Sequence, residues 1–170
     1  MGQRLLPQNL IELYCHALVL EREAFKRFVE LERTMRDAGM DYLADEFERI
    51  GREEQEQYEA LALGTADRKL PEISPWEYAW HYLGPDAARP AAPKSAREAI
   101  VSALSIERRA QNFYVDVAEN VQDDAVCAFA AEMAADEQRH ILRLEQLLLR
   151  EPEAAALVGD DADIAGAQRS

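Results

Sequence analysis

Ala17-Leu-Val-Leu-Glu21-Arg-Glu-Ala24-Phe-Lys-Arg-Phe28 aligns without a gap on Ala103-Leu-Ser-Ile-Glu107-Arg-Arg-Ala110-Gln-Asn-Phe-Tyr114. Both stretches carry small and apolar residues at spacings of three and four, the signature of one helix face. Each has a glutamate in the middle of that face. Glu21 shares it with Tyr14, Ala17, Ala24 and Phe28, and Glu107 with Ile100, Ala103, Leu104, Ala110 and Tyr114. A second pair of segments repeats in the same way: Ile50-Gly-Arg-Glu-Glu54-Gln-Glu-Gln57 aligns on Met133-Ala-Ala-Asp-Glu137-Gln-Arg-His140. Internal duplication of a helix pair explains both the order of the segments and the matched acids.

Working outward, the periodicity predicts helices over residues 8–36, 41–63, 95–120 and 123–150. Pro7 stands where a helix start tolerates it, and Gly39 is available for a left-handed cap after the first helix. The second helix stops at Gly64, Ser95-Ala-Arg-Glu98 matches a capping box, and the fourth helix ends before Pro152. Between residues 65 and 93 the pattern is broken by Pro71, Pro75, Gly84, Pro85, Pro90 and Pro93. Within that stretch Ser74-Pro75-Trp76-Glu77 predicts a short capped helix reaching about Leu83. Its rings, Trp76, Tyr78, Trp80 and Tyr82, suit a crossover that buries one side along a bundle. Two tight hairpins joined by a long crossover make an all-α four-helix bundle over residues 1–150. Residues 151–170 form an acidic, Ala-rich tail expected to be flexible.

The formal net charge of -14 repels phosphate backbones and concentrates cations, so a nucleic-acid partner is not expected. No apolar run approaches a membrane span and the N-terminus has no signal core, so a cytoplasmic protein without a membrane partner is expected. Cys15 and Cys127 lie far apart, with no Cys-x-x-Cys, which excludes a zinc ribbon or rubredoxin-type centre built on such a pair. Both are expected to be buried reduced thiols.

A carboxylate on a core face is costly unless it is paired, protonated or bound to a cation. Glu137 and His140, at i and i+3, lie on one helix face and can offer one oxygen and one nitrogen to the same ion. Alone, Glu-x-x-His is a weak signal, since such pairs commonly face solvent. Combined with Glu21, Glu54 and Glu107 it matches the arrangement of di-iron and di-manganese carboxylate bundles. In that arrangement Glu54 and Glu137 bridge two metals, and Glu21 and Glu107 are terminal ligands.

Leu20-Glu21 through Phe28, Glu54 to Gln57, Ile106-Glu107 through Tyr114, and Glu137 to His140 together resemble the rubrerythrin-like branch of the ferritin-like superfamily. The resemblance spans residues 8–150 and implies a ferritin-like bundle. It also implies redox chemistry at a di-iron centre: Fe(II) oxidation, or reduction of peroxide or dioxygen. The cofactor expected is iron, with manganese or zinc as alternatives.

Three departures bear on that expectation. Position 57 is Gln where the family pattern has His, and an amide oxygen is a weaker ligand for iron than imidazole. Ala110 stands where rubrerythrins often carry an extra Glu, and there is no rubredoxin-type iron domain. Electrons would then come from an external donor protein. The position bounded by Glu21, Glu54, Gln57 and Glu137 is expected to be less well filled than the one holding Glu107 and His140. Against the oxidoreductase or iron-handling function stands a degenerate bundle acting as a non-enzymatic metal-binding module or scaffold. Iron storage in a large shell is a third alternative. A homodimer is expected, with the Trp76 to Tyr82 stretch in the contact. His16 and His81 are expected to be structural, and Tyr58 and Tyr114 are candidates to lie beside the acids.

Overall fold

A computed structural model describes residues 6–72 and 91–152. They form four helices: α1 (Leu10–Asp37), α2 (Asp41–Gly64), α3 (Ala96–Asn120) and α4 (Asp124–Arg150). The expected short helix with Trp76, Tyr78, Trp80 and Tyr82, together with His81 and the tail beyond residue 152, lies outside the described residues. No helix among the described residues is long and apolar enough to cross a membrane.

Helix starts follow from side-chain caps. Asn9, Ser95 and Asp123 each sit in extended backbone and accept a hydrogen bond from the first turn, replacing partners that the first N–H groups lack. α1 therefore begins two residues later than the periodicity predicts, because Asn9 rather than Gln8 carries the cap. The expected capping box at Ser95 forms with a small change. Ser95 Oγ accepts from Glu98 N at 3.1 Å, while Glu98 Oε2 reaches one residue further back, to Lys94 N at 2.7 Å. Glu12 does the same at α1, accepting from Gln8 N.

The turn after α1 is a Schellman motif. Gly39 has φ +72°, Gly39 N donates to Arg36 O at 3.0 Å, and Met40 N donates to Met35 O at 2.8 Å. The backbone reverses within three residues, so α2 packs back along α1. Residues 121–123 do the same between α3 and α4.

The core is divided. Phe28, Met35, Leu43, Phe47, Ile50, Ile100, Leu104 and Leu144 belong to one apolar cluster. Leu13, Leu20, Phe113, Tyr114, Val117, Val126 and Met133 belong to another. On every helix the two clusters are separated by the level of a single buried acid: Glu21, Glu54, Glu107 or Glu137. Each helix buries one stripe, and each stripe is apolar except at this level.

Gly51 sets how closely α1 and α2 approach. A Cβ placed there would lie 3.0 Å from Phe28 Cβ, an atom tied directly to the α1 backbone. Gly51→Ala gains about 1 kcal/mol of helix propensity. Forcing the helices apart costs about 1–3 kcal/mol. The expected net result is a lower melting temperature, by about 2–4 °C for each kcal/mol lost. Thermal unfolding followed by circular dichroism checks it, and an increase would mean that α1 shifts freely.

Candidate metal centre

Four helices each contribute one acid to the layer between the apolar clusters. Glu21, Glu54, Glu107 and Glu137 are all buried, as is His140, at 0–1 % exposure. One ligand atom from each of Glu54, Glu107, Glu137 and His140 can be chosen so that all lie within 4.8 Å of one another. Ligands facing each other across a first-row ion lie about 4 Å apart, so the group has the size of a coordination sphere. His140 Nδ1 is 2.8 Å from Glu54 Oε1 and 3.2 Å from Glu107 Oε2. Glu21 stands beside this group, adjoining Glu54 on one side and accepting a 2.6 Å hydrogen bond from Tyr114 Oη.

The electrostatics are severe. Burial pushes the carboxyls of Glu21, Glu107 and Glu137 well above the ordinary carboxylate range, and neighbouring acids push further: Glu54 acts on Glu21 and Glu107, and Glu107 on Glu137. Glu54 is raised by burial and by the charge of Glu137, with His140 and Glu21 opposing through hydrogen bonds. Burial alone would lower His140. The hydrogen bond and charge of Glu54, helped by Glu137 and Glu53, instead carry it up to about 9.

As carboxylates, these acids have too few donors. Glu54 Oε2, both oxygens of Glu137, Glu21 Oε2 and Glu107 Oε1 are buried and accept no hydrogen bond from the described residues. Two carboxylates facing each other can be reconciled only by a shared proton or by a cation between them. Hard oxygen donors with one imidazole are the donor set that divalent first-row metals accept. The residues present therefore fit a metal centre.

A family model for rubrerythrin matches residues 12–148. The chain belongs to the rubrerythrin family. Among solved structures, an uncharacterized conserved protein from Magnetospirillum magnetotacticum is similar, with 24 % identity and a TM-score of 0.73. That match covers 86 % of this chain and 98 % of the other, and at such identity it supports the fold alone. No curated protein matches the sequence. In this rubrerythrin-family chain the buried cluster of Glu54, Glu107, Glu137 and His140 fits a di-metal carboxylate site.

The remaining sequence candidates are placed as follows. Gln57 is half-buried, and its Nε2 donates to Asp136 Oδ2 at 3.0 Å. Tyr114 bonds an acid, while Tyr58 is half-buried and has no such bond among those described. His16 packs its ring 5.5 Å from that of Phe113, away from the group that could hold a metal. Cys15 is a free buried thiol with Sγ 3.5 Å from Pro71 O, and burial raises it. Cys127, expected buried, is half-buried, with its free thiol 3.0 Å from Val121 O.

Three residues that periodicity did not single out complete the surroundings. Glu53 Oε2 lies 2.9 Å from His140 Nε2, fixing the imidazole so that Nδ1 faces the acids. Arg143 Nη1 donates to Glu53 Oε1 at 2.8 Å, and Arg143 Nε donates to Glu46 Oε1 at 2.9 Å. Arg143 and His140 overcome the effect of burial on Glu53 and hold its carboxyl below the ordinary range. Asp136 plays the corresponding part for Gln57. A signal existed in the sequence: in both halves the buried acid of the second helix is preceded by another acid, as Glu53-Glu54 and Asp136-Glu137.

Proposed function

We propose that the chain is a non-haem di-iron protein that oxidises Fe(II) with peroxide or dioxygen, as an oxidoreductase or in iron handling. The observation that supports this most is the set of buried carboxylate oxygens with no donor, gathered around His140 in the dry centre of the bundle. Glu54 and Glu137 would be shared by the two metals, and Glu21, Glu107, Gln57 and His140 would each serve one of them.

When bound, a pair of Fe(II) ions would supply one electron each for the two-electron, two-proton reduction of hydrogen peroxide to two waters. The chain's own residues do the rest. The apolar clusters above and below the acid layer exclude bulk water, which strengthens every charge interaction inside. Tyr114 Oη holds Glu21 by its Oε1 and leaves Oε2 to a cation. Glu53 holds Nε2 of His140, so Nδ1 is the ligand atom. Electrons for repeated turnover are assigned to an external donor protein. Gln57 in the place of a His supports the second possibility, a metal-binding module without turnover.

Stopped-flow absorbance after anaerobic Fe(II) loading separates the two. Mixing with peroxide or oxygen should oxidise protein-bound Fe(II) at least about a hundredfold faster than Fe(II) in buffer, within the range that general enzymatic acceleration makes modest. His140→Ala should remove most of that advantage. Oxidation no faster than in buffer, with metal bound, would favour the module.

A further inference from the structure

The two halves of the site are built on matched positions, and Gln57 faces His140 across the repeat. Gln57 and His140 are equivalent in the repeat, and so are Glu53 and Asp136. On one side, His140 Nε2 meets Glu53 of α2 at 2.9 Å and Nδ1 faces the acids. On the other, Gln57 Nε2 meets Asp136 of α4 at 3.0 Å. The second oxygen of each supporting acid is taken by an arginine, Glu53 by Arg143 at 2.8 Å and Asp136 by Arg139 at 2.6 Å. A carboxylate clamped by a guanidinium accepts and does not donate. Gln57 must therefore present its N–H₂ to Asp136 and turn its oxygen the other way. That oxygen, Gln57 Oε1, is buried and has no hydrogen-bond partner among the described residues.

We propose that Gln57 Oε1 is the counterpart of His140 Nδ1, held by Asp136 as a ligand to an all-oxygen metal position shared with Glu21, Glu54 and Glu137, and that this position prefers a harder divalent cation than its neighbour. This rests on the metal-centre function proposed above. Imidazole suits iron and zinc, whereas amide and carboxylate oxygens suit manganese, magnesium and calcium. Fe(II) binds more tightly than Mn(II) at most sites of given donors, so the preference appears as a difference between the two positions. Asp136 is a positioning residue: it acts on the metal only through the orientation of Gln57.

The test loads native protein anaerobically with equal Fe(II) and Mn(II) and reads each position by anomalous scattering at the two absorption edges. The Mn-to-Fe ratio beside Gln57 should exceed that beside His140 by about tenfold, the lower end of what a change around a ligand costs a metal site. Gln57→His should bring the two ratios together, because its Nε2–H can still reach Asp136 while Nδ1 replaces the amide oxygen. Asp136→Asn, which can itself donate, should release Gln57 and lower occupancy on that side alone, leaving the His140 side filled. Retained metal beside His140 shows that the variant is folded. Equal ratios at both positions in native protein, metal only beside His140, or full occupancy beside Gln57 in Asp136→Asn would each overturn the inference. Native protein with no metal at either position would overturn the metal-centre function itself, which is a different failure.

Discussion

Protein stripped of metal is expected to lose thermal stability steadily as the pH rises from 5 to 9. Glu21, Glu54, Glu107 and Glu137 all have folded-state carboxyls raised by burial and by one another. Above the unfolded carboxylate range the native state holds protons that the unfolded chain has released, so stability falls with pH. His140 adds to the same slope. Raised to about 9, it contributes stability that is complete below the unfolded value of 6.5 and is lost as pH passes through 9. Each proton held only by the folded state removes about 1.4 kcal/mol per pH unit. Even one such proton lowers the melting temperature by about 3–6 °C per unit in a chain of this length. Bound Zn(II), which is redox-inert, displaces those protons, so the loaded protein should show a flat or rising profile. Scanning calorimetry of stripped and loaded protein across this range reads both slopes. A flat profile for the stripped protein would mean that the acids are not forced together as described.

Glu137→Gln is expected to move stability and metal affinity in opposite directions. Both Glu137 oxygens are buried with no donor among the described residues, and Glu107 is the neighbour whose charge presses on it most. An amide keeps the shape, removes the charge and can donate to Glu107. A proton that only the folded state must hold costs about 1.4 kcal/mol per pH unit above the unfolded carboxylate range, a cost of about 1–4 kcal/mol at pH 8 that the amide does not carry. The stripped variant at pH 8 should therefore melt about 2–16 °C above stripped native protein. Its metal affinity should fall at least about a hundredfold, beyond the loss that follows removal of an outer partner. A variant that is less stable without metal would indicate that Glu137 has a structural partner in the bundle. Calorimetric titration with Zn(II), alongside the melting curves, gives both numbers from one sample.

Much of this architecture was legible in the sequence, and particular residues show why. Helix faces carry their own period, and Gly39, Ser95 and Asp123 mark ends through local chemistry, so the four helices could be placed to within about two residues, as such boundaries allow. The buried acids were legible because a charge inside an apolar stripe violates the local pattern, and the repeat made the violation occur twice. Glu53, Asp136 and Arg143 were not. Each is one or three residues from a ligand along its own helix, on a flank that a single helix presents to solvent. Only the approach of α2 to α4 brings Glu53 beside His140 and Asp136 beside Gln57. Gln57 reads from sequence only as a weak ligand, because residue type alone cannot say which end of an amide faces inward. Its orientation comes from Asp136 and Arg139, which no spacing rule connects to it.

Metal counting after anaerobic loading decides whether the acid layer is a two-metal site. Native protein given excess Fe(II) and then desalted should retain two ions per chain. Both should appear in an anomalous difference map among Glu21, Glu54, Glu107, Glu137 and His140, and Glu137→Gln should retain neither. Native protein that emerges without iron, or with iron bound only outside that cluster, would contradict the account.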